Sequence, residues 1–173
     1  PHAWNHGRGI DYHEHVDWHC GFIAISPQDE AFFYDEVVMS PEKNVTLQIA
    51  REIGNKSKDY KYSISKIDPL SAKKQVNTGL STIDDLNRIF YEFKRDTKST
   101  RGREEIRKRL RNSRLCGKPF NNRQIVNGRE VNLPTLWMLP NCRTAIDSMK
   151  NWRLEEWQNR TQLETKEMKE TPM

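Results

Sequence analysis

Cysteine is too sparse in this sequence to staple it. Cys20, Cys116 and Cys142 are odd in number and far apart. They form neither a disulfide framework nor a metal-ligand spacing, so reduced thiols in a cytoplasmic setting are expected. Long apolar runs are missing as well: none approaches a membrane span, and no signal peptide is visible. No Gly-x-x-x-x-Gly-Lys-Ser/Thr phosphate loop occurs, which leaves this stretch without the ATP-binding motif of P-loop motors. Internal repeats are absent. Pro1 in place of Met and the closing Thr-Pro-Met make both ends read as cut from something longer.

What is present suffices for one domain with a full core in 173 residues. The net charge of +5 hides an asymmetry: Lys94 to Arg129 holds thirteen Lys or Arg against three acids, leaving the rest at −5. Such a block means a polyanion partner or a solvated face. Because it joins helical and loop sections instead of a tail, nucleic acid is the favoured partner.

Residues 1–7 read as a linker into a strand, Arg8–Tyr12, that ends in an acid. Two long strands, Trp18–Ser26 and Ala31–Ser40, follow around the turn Pro27-Gln28-Asp29-Glu30 and form a hairpin. Ser40 and Pro41 suit a helix start, and the apolar face of Val45, Ile49 and Ile53 predicts a helix over Pro41–Ile53, closed by Gly54. A further strand, Tyr60–Asp68, is stopped by Pro69, and a mobile loop is expected over Pro69–Leu80. Ser81 with Asp84 forms a capping box for the next helix. A basic helix is expected over Gly102–Leu115, then a polar loop or hairpin with Asn127-Gly128 as its turn. A short strand near an edge, Leu133–Leu139, precedes a last helix, Cys142–Trp157. Residues 8–158 thus form the folded domain, and 159–173 a fraying C-terminal segment. The aromatic residues Phe22, Phe32, Tyr34, Trp137 and Trp152 read as core.

Two strands end in acids, Asp11 and Asp68. Taken alone, either is an ordinary strand-end Asp opening a turn. The intervening helix, however, supplies the crossover that parallel neighbours require. Side by side, the two carboxylates would emerge at one sheet edge and repel unless a cation lay between them. Mg²⁺ or Mn²⁺ suits such a site, since hard cations take oxygen ligands and keep several waters. Lys73 and Lys74, just after Asp68, are candidates to offset phosphate charge, or are solvated loop lysines. His13 and His15 follow Asp11; His13 is a candidate near a reacting phosphate, and a dedicated zinc site lacks ligands. Glu36, near the end of the third strand, could reach the same cleft or be an ordinary exposed hairpin acid. Arg103, Arg107, Lys108, Arg111, Arg114 and Lys118 are the candidate DNA contacts of the basic block.

Several phrases carry a resemblance: Gly9-Ile10-Asp11, Ile67-Asp68-Pro69, Gly102-Arg103-Glu104-Glu105-Ile106, and Leu139-Pro140-Asn141-Cys142 before the last helix. With the order of elements, the chain resembles the nuclease domain of tailed-phage large terminase subunits, within the ribonuclease H-like superfamily. The resemblance implies an α/β fold with a mixed central sheet and helices on both faces. It implies a two-metal DNA endonuclease that cuts packaged double-stranded DNA in the cytoplasm of an infected host. Asp11 and Asp68 match the first two of the family's three metal-binding acids. The third is expected past Met173, and Asp147 is expected to face away from the sheet. An ATPase motor domain, a small terminase subunit and a portal or procapsid are the implied partners. A junction resolvase or integrase would share the acids, and a non-catalytic nucleic-acid-binding module would need only the basic block.

Overall fold

The computed structural model describes residues 3–74, 79–89, 93–96, 101–111, 123–132, 135–151, 154–156 and 165–167. Strands β1 (Asn5–Asp11), β2 (Trp18–Ile25) and β3 (Ala31–Met39) form an antiparallel meander. Helix α1 (Thr46–Ser57) then returns the chain so that β4 (Tyr62–Ile67) lies parallel to β1. Helix α2 (Thr82–Asn87) leads to the two-residue β5 (Lys94–Arg95), parallel to β4. Next come α3 (Arg101–Arg111) and a hairpin of β6 (Arg123–Val126) and β7 (Arg129–Asn132). Finally β8 (Leu136–Met138) pairs parallel with β3, and α4 (Arg143–Asn151) follows. The six-stranded sheet runs β5-β4-β1-β2-β3-β8, a mixed α/β architecture.

Alternation along the central strands decides which face is dry. Ile10, Cys20, Phe22, Val37 and Ile67 point to one side and meet Ile49, Ala50 and Ile53 of α1 and Leu86 of α2. Each buried Ile, Leu, Val or Phe among them contributes about 1.5–3 kcal/mol, and Ala50 and Cys20 less. On the other face Phe33 lies across Gly21, where an added Cβ would overlap the ring. A side chain larger than hydrogen at Gly21 would therefore push that ring off the sheet.

Several boundaries differ from the sequence expectation. β1 starts at Asn5, inside the expected linker, because His6 is buried in an aromatic cage. Its ring stacks on Tyr60 at 4.2 Å, and its Nδ1 lies 3.3 Å from the Tyr34 hydroxyl, which lies 2.9 Å from that of Tyr62. Beside it, buried Arg8 donates to Ser65 Oγ at 3.0 Å and Ser57 Oγ at 2.6 Å. Its guanidinium lies between the rings of Tyr62 and Phe93, a favourable cation–π setting. Polar letters thus fill core positions.

Helix α1 starts later and ends later than Pro41–Ile53. The Asn44 amide and side chain both donate to Ser40 O, closing Pro41–Asn44 as a turn. The Val45 amide donates to Gln48 Oε1 at 3.1 Å and fixes the new start. Gly54 does not end the helix. Ser57, one turn on, donates to Ile53 O while it holds Arg8, and that anchoring outweighs glycine's cost of roughly 1 kcal/mol.

Other expectations hold. Ser81 Oγ accepts from the Asp84 amide, and Asp84 Oδ2 accepts from the Ser81 amide. Asn127 and Gly128 both have positive φ, 52° and 74°, between β6 and β7, as a type I′ hairpin turn requires. The last helix stops at Asn151, short of Trp157, and the chain forms β9 (Leu154–Glu156). Within the segment expected to fray, β10 (Thr165–Glu167) pairs antiparallel with it. Its backbone register sets Lys166 opposite Glu155. Trp137 is 36% exposed and stacks on Phe32, so it is a partial cover and not core. Trp152 lies outside the described residues.

Candidate catalytic edge and basic helix

The parallel register of β1 and β4 pairs Ile10 with Ile67, which brings Asp11 and Asp68 level at neighbouring strand ends. The Asp68 amide donates to Ile10 O at 3.1 Å and locks that alignment. One strand further the pattern repeats: Arg95 pairs with Ile67, and the Asp96 amide donates to Ile67 O at 2.9 Å. Three acids, Asp11, Asp68 and Asp96, therefore follow one another along one edge, on strands about 4.8 Å apart. Asp96 is not among the acids that sequence pattern singles out, because two residues are too few for β5 to announce itself. The local signal is Lys94-Arg95-Asp96 behind the buried Phe93.

Asp68 also has a local structural task. Its Oδ1 accepts from the Leu70 amide at 2.8 Å, and its carbonyl accepts from the Ser71 amide and hydroxyl. Pro69–Ala72 is consequently a 3₁₀ turn, correcting the expectation of a mobile loop from Pro69. Lys74 pairs with Ser81 as an isolated bridge, and residues 75–78 lie outside the described set.

Past these strand ends, on the α1 and α2 side of the sheet, is an open cleft of about 390 Å³, lined among others by Tyr12, His13, Glu14, Trp18, Lys73 and Lys74 and by neither Asp11 nor Asp68. The expected neighbours His13, Lys73 and Lys74 thus do converge. Lys73 donates to Glu14 Oε1 at 3.2 Å, an exposed ion pair that ties the loop after Asp11 to the loop after Asp68. His13 Nδ1 accepts from the His15 and Val16 amides. This leaves the neutral ring's proton on Nε2, and Nδ1 organises the turn. Its carbonyl accepts from Trp18 Nε1 at 2.9 Å, which seats that indole in the core.

The basic helix is elsewhere. Arg109 of α3 donates to Asp29 O at 2.6 Å and Oδ1 at 2.8 Å, in the β2–β3 turn. That turn adjoins Asn5, the far end of β1 from Asp11. Six residue steps of strand make the separation about 20 Å. Arg107 and Lys108 are exposed on α3, and Lys108 lies near Glu105. Arg103 and Arg111 belong to α3 by backbone, while their side chains, with Arg114, Lys118 and Cys116, lie outside the described set.

Glu36 occupies a different position from the cleft. It is half-buried against the start of α4, accepting from the Thr144 and Ala145 amides at 2.8 and 3.0 Å and lying 2.8 Å from His19 Nε2. Burial pushes its carboxyl up, but the hydrogen bonds from His19, Thr144 and Ala145 outweigh it and hold it below its usual value. Asp147 is exposed on α4 beside Lys150. Burial pushes the Cys20 thiol up to about 12 and that of Cys142 up to about 11, which removes both as thiolate nucleophiles.

Two carboxylates on adjacent strand ends are the hard-oxygen donors that Mg²⁺ or Mn²⁺ accepts. Among the described residues, no three His, Cys, Asp or Glu come close enough to hold an ion together. The pair fits a metal held by few protein ligands and water.

No protein-family model matches the sequence, and no curated protein matches it. The fold is similar to that of the large terminase from a thermophilic bacteriophage. One structure of that protein superposes with a TM-score of 0.61 at 10% identity, over 90% of this chain and 34% of that one. Another, in complex with ADP, gives 0.63 at 11% identity, over 98% and 37%. The chain spans about a third of the length of the terminase structures it matches, and the likeness is one of fold.

Proposed function

We propose that this chain is a metal-dependent endonuclease domain that cuts double-stranded DNA during viral genome packaging. The observation that carries this reading is the level placement of Asp11 and Asp68 at adjacent parallel strand ends. Those two acids would hold Mg²⁺ or Mn²⁺, which when bound would supply an activated water and offset charge on the scissile phosphate. Lys73 and Lys74, which line the neighbouring cleft together with His13, bind and orient the strand next to the scissile phosphodiester. Arg107 and Lys108 grip the duplex further along, one strand length from the cut. An ATPase motor, a small terminase subunit and a portal would be partners of the longer protein.

The test is Mn²⁺-dependent nicking of supercoiled plasmid by the purified chain. Cleavage should appear with Mn²⁺ and vanish on chelation. Binding without cleavage would favour the non-catalytic module, and preference for four-way junctions over linear duplex would favour a resolvase. The basic helix has its own readout. Arg107→Gln with Lys108→Gln should reduce the slope of log K against log salt by roughly 0.9 for each phosphate no longer neutralised. Arg109→Gln should lower the melting temperature instead, because Arg109 is tied to Asp29. An unchanged slope in the double variant would leave the exposed face of α3 as a solvated surface.

A further inference from the structure

The cleft contains more than a pair of lysines. Besides Lys73, Lys74 and His13 it is lined by the hydroxyl residues Thr46 and Thr82. Thr46 is the first residue of the twelve-residue α1, whose N-terminal amides favour an anion. A volume of about 390 Å³ is within the range of small-ligand sites, roughly 300–1,000 Å³. It suits one nucleotide unit and is far too small for a duplex. Into this basic setting the chain inserts its own oxyanion, the Glu14 carboxylate, 3.2 Å from Lys73 Nζ. Both partners are well exposed, at 72% for Lys73 and 48% for Glu14, and such pairs contribute little to stability. An incoming anion can displace the carboxylate at small cost.

We propose that this cleft is a subsite for one phosphodiester of a polynucleotide strand that runs past the loop after Asp11, and that Glu14 occupies Lys73 until that phosphate replaces it. The inference rests on the nucleic-acid reading above and adds a residue to it. Glu14 is a positioning residue: it acts through Lys73 and holds the lysine at the cleft between the two acid-bearing loops.

The test uses the whole chain in EDTA, so that binding is read without cleavage, with a fluorescent twelve-residue oligothymidylate as probe. Glu14→Gln should tighten binding about threefold to fivefold by removing the competitor. Lys73→Gln should weaken binding, and in that background Glu14→Gln should change affinity less than about twofold. Asp17→Asn, which removes the same charge from the same loop, is the control and should also stay under about twofold. An equal gain from Glu14→Gln with or without Lys73, or from Asp17→Asn, overturns the proposal. So does a gain seen with inorganic phosphate and not with the oligonucleotide, which would mark a free-anion site. If plasmid is cut in Mn²⁺ but the Lys73-dependent gain is absent, the subsite fails and the nuclease reading stands. If the gain appears and no metal supports cutting, the subsite stands as a binding site and the nuclease reading fails. A chain that binds no oligonucleotide overturns both.

Discussion

Asp11→Asn and Asp68→Asn should each lower Mn²⁺-dependent plasmid cleavage by at least about a hundredfold, with duplex affinity unchanged or raised. A hundredfold is the scale on which loss of one group that stabilises transition-state charge registers. Affinity should not fall, because each change removes a negative charge from beside a phosphate. The two positions differ in what else they do. Asp68 caps the 3₁₀ turn through Leu70, and Asn accepts the same hydrogen bond, so Asp68→Asn should melt near the parent temperature. Asp68→Ala loses the cap as well and should cost a further ~1 kcal/mol. Melting curves run beside the nicking assay separate chemistry from folding. Should both Asn variants keep more than a tenth of parental activity with the fold intact, these acids are turn residues only.

Among the charged residues, the clearest loss of stability is expected at Glu36. Glu36→Ala should cost about 1–2 kcal/mol at pH 7, read from urea unfolding, because it removes the side-chain acceptor that caps the start of α4. The change strips an acceptor from the Thr144 and Ala145 amides and a partner from His19. The helix start also loses the negative charge its dipole favours. The pH dependence has a definite sign. Folding lowers the Glu36 pKa from its ordinary 4.5, so this contribution is complete above that value. It drains away as pH falls through the lower native value. The gap between parent and variant should therefore narrow below about pH 4.5. A gap equally wide on both sides would mean that Glu36 acts by filling space and not by its charge.

Much of the fold is written in short-range signals. Proline after Asp68, the Ser81–Asp84 box and Asn127-Gly128 each fix a local conformation whatever lies around it. The helix between β1 and β4 makes them parallel neighbours, and with that the level acids follow. The rest depends on distant partners. Nothing near His6 or Arg8 in sequence says that Tyr60, Tyr62, Ser57 and Phe93 will close around them. Amphipathy places a helix at α3 but not at the β2–β3 turn, since Asp29 is 80 residues from Arg109. Glu36 reads as an ordinary hairpin acid because its acceptor role is set by α4, more than 100 residues later. Asp96 is hidden by a strand of two residues.

The two borders of the main sheet bear on how this chain behaves at high concentration. Long central strands are bounded by β5, two basic residues, and by β8, only three residues long. Short borders, one of them charged, give a neighbouring molecule little backbone to zip onto. Where β8 stops, Leu139 and Asn141 take over the Phe33 and Tyr34 carbonyls, so the β3 border is closed in turn. Among the described residues, the stretch of β4 before Lys66 has no strand beyond it, and it carries Ile64, 56% exposed. Self-association through strand addition would begin there, and a lysine at that position would make the border charged along its length.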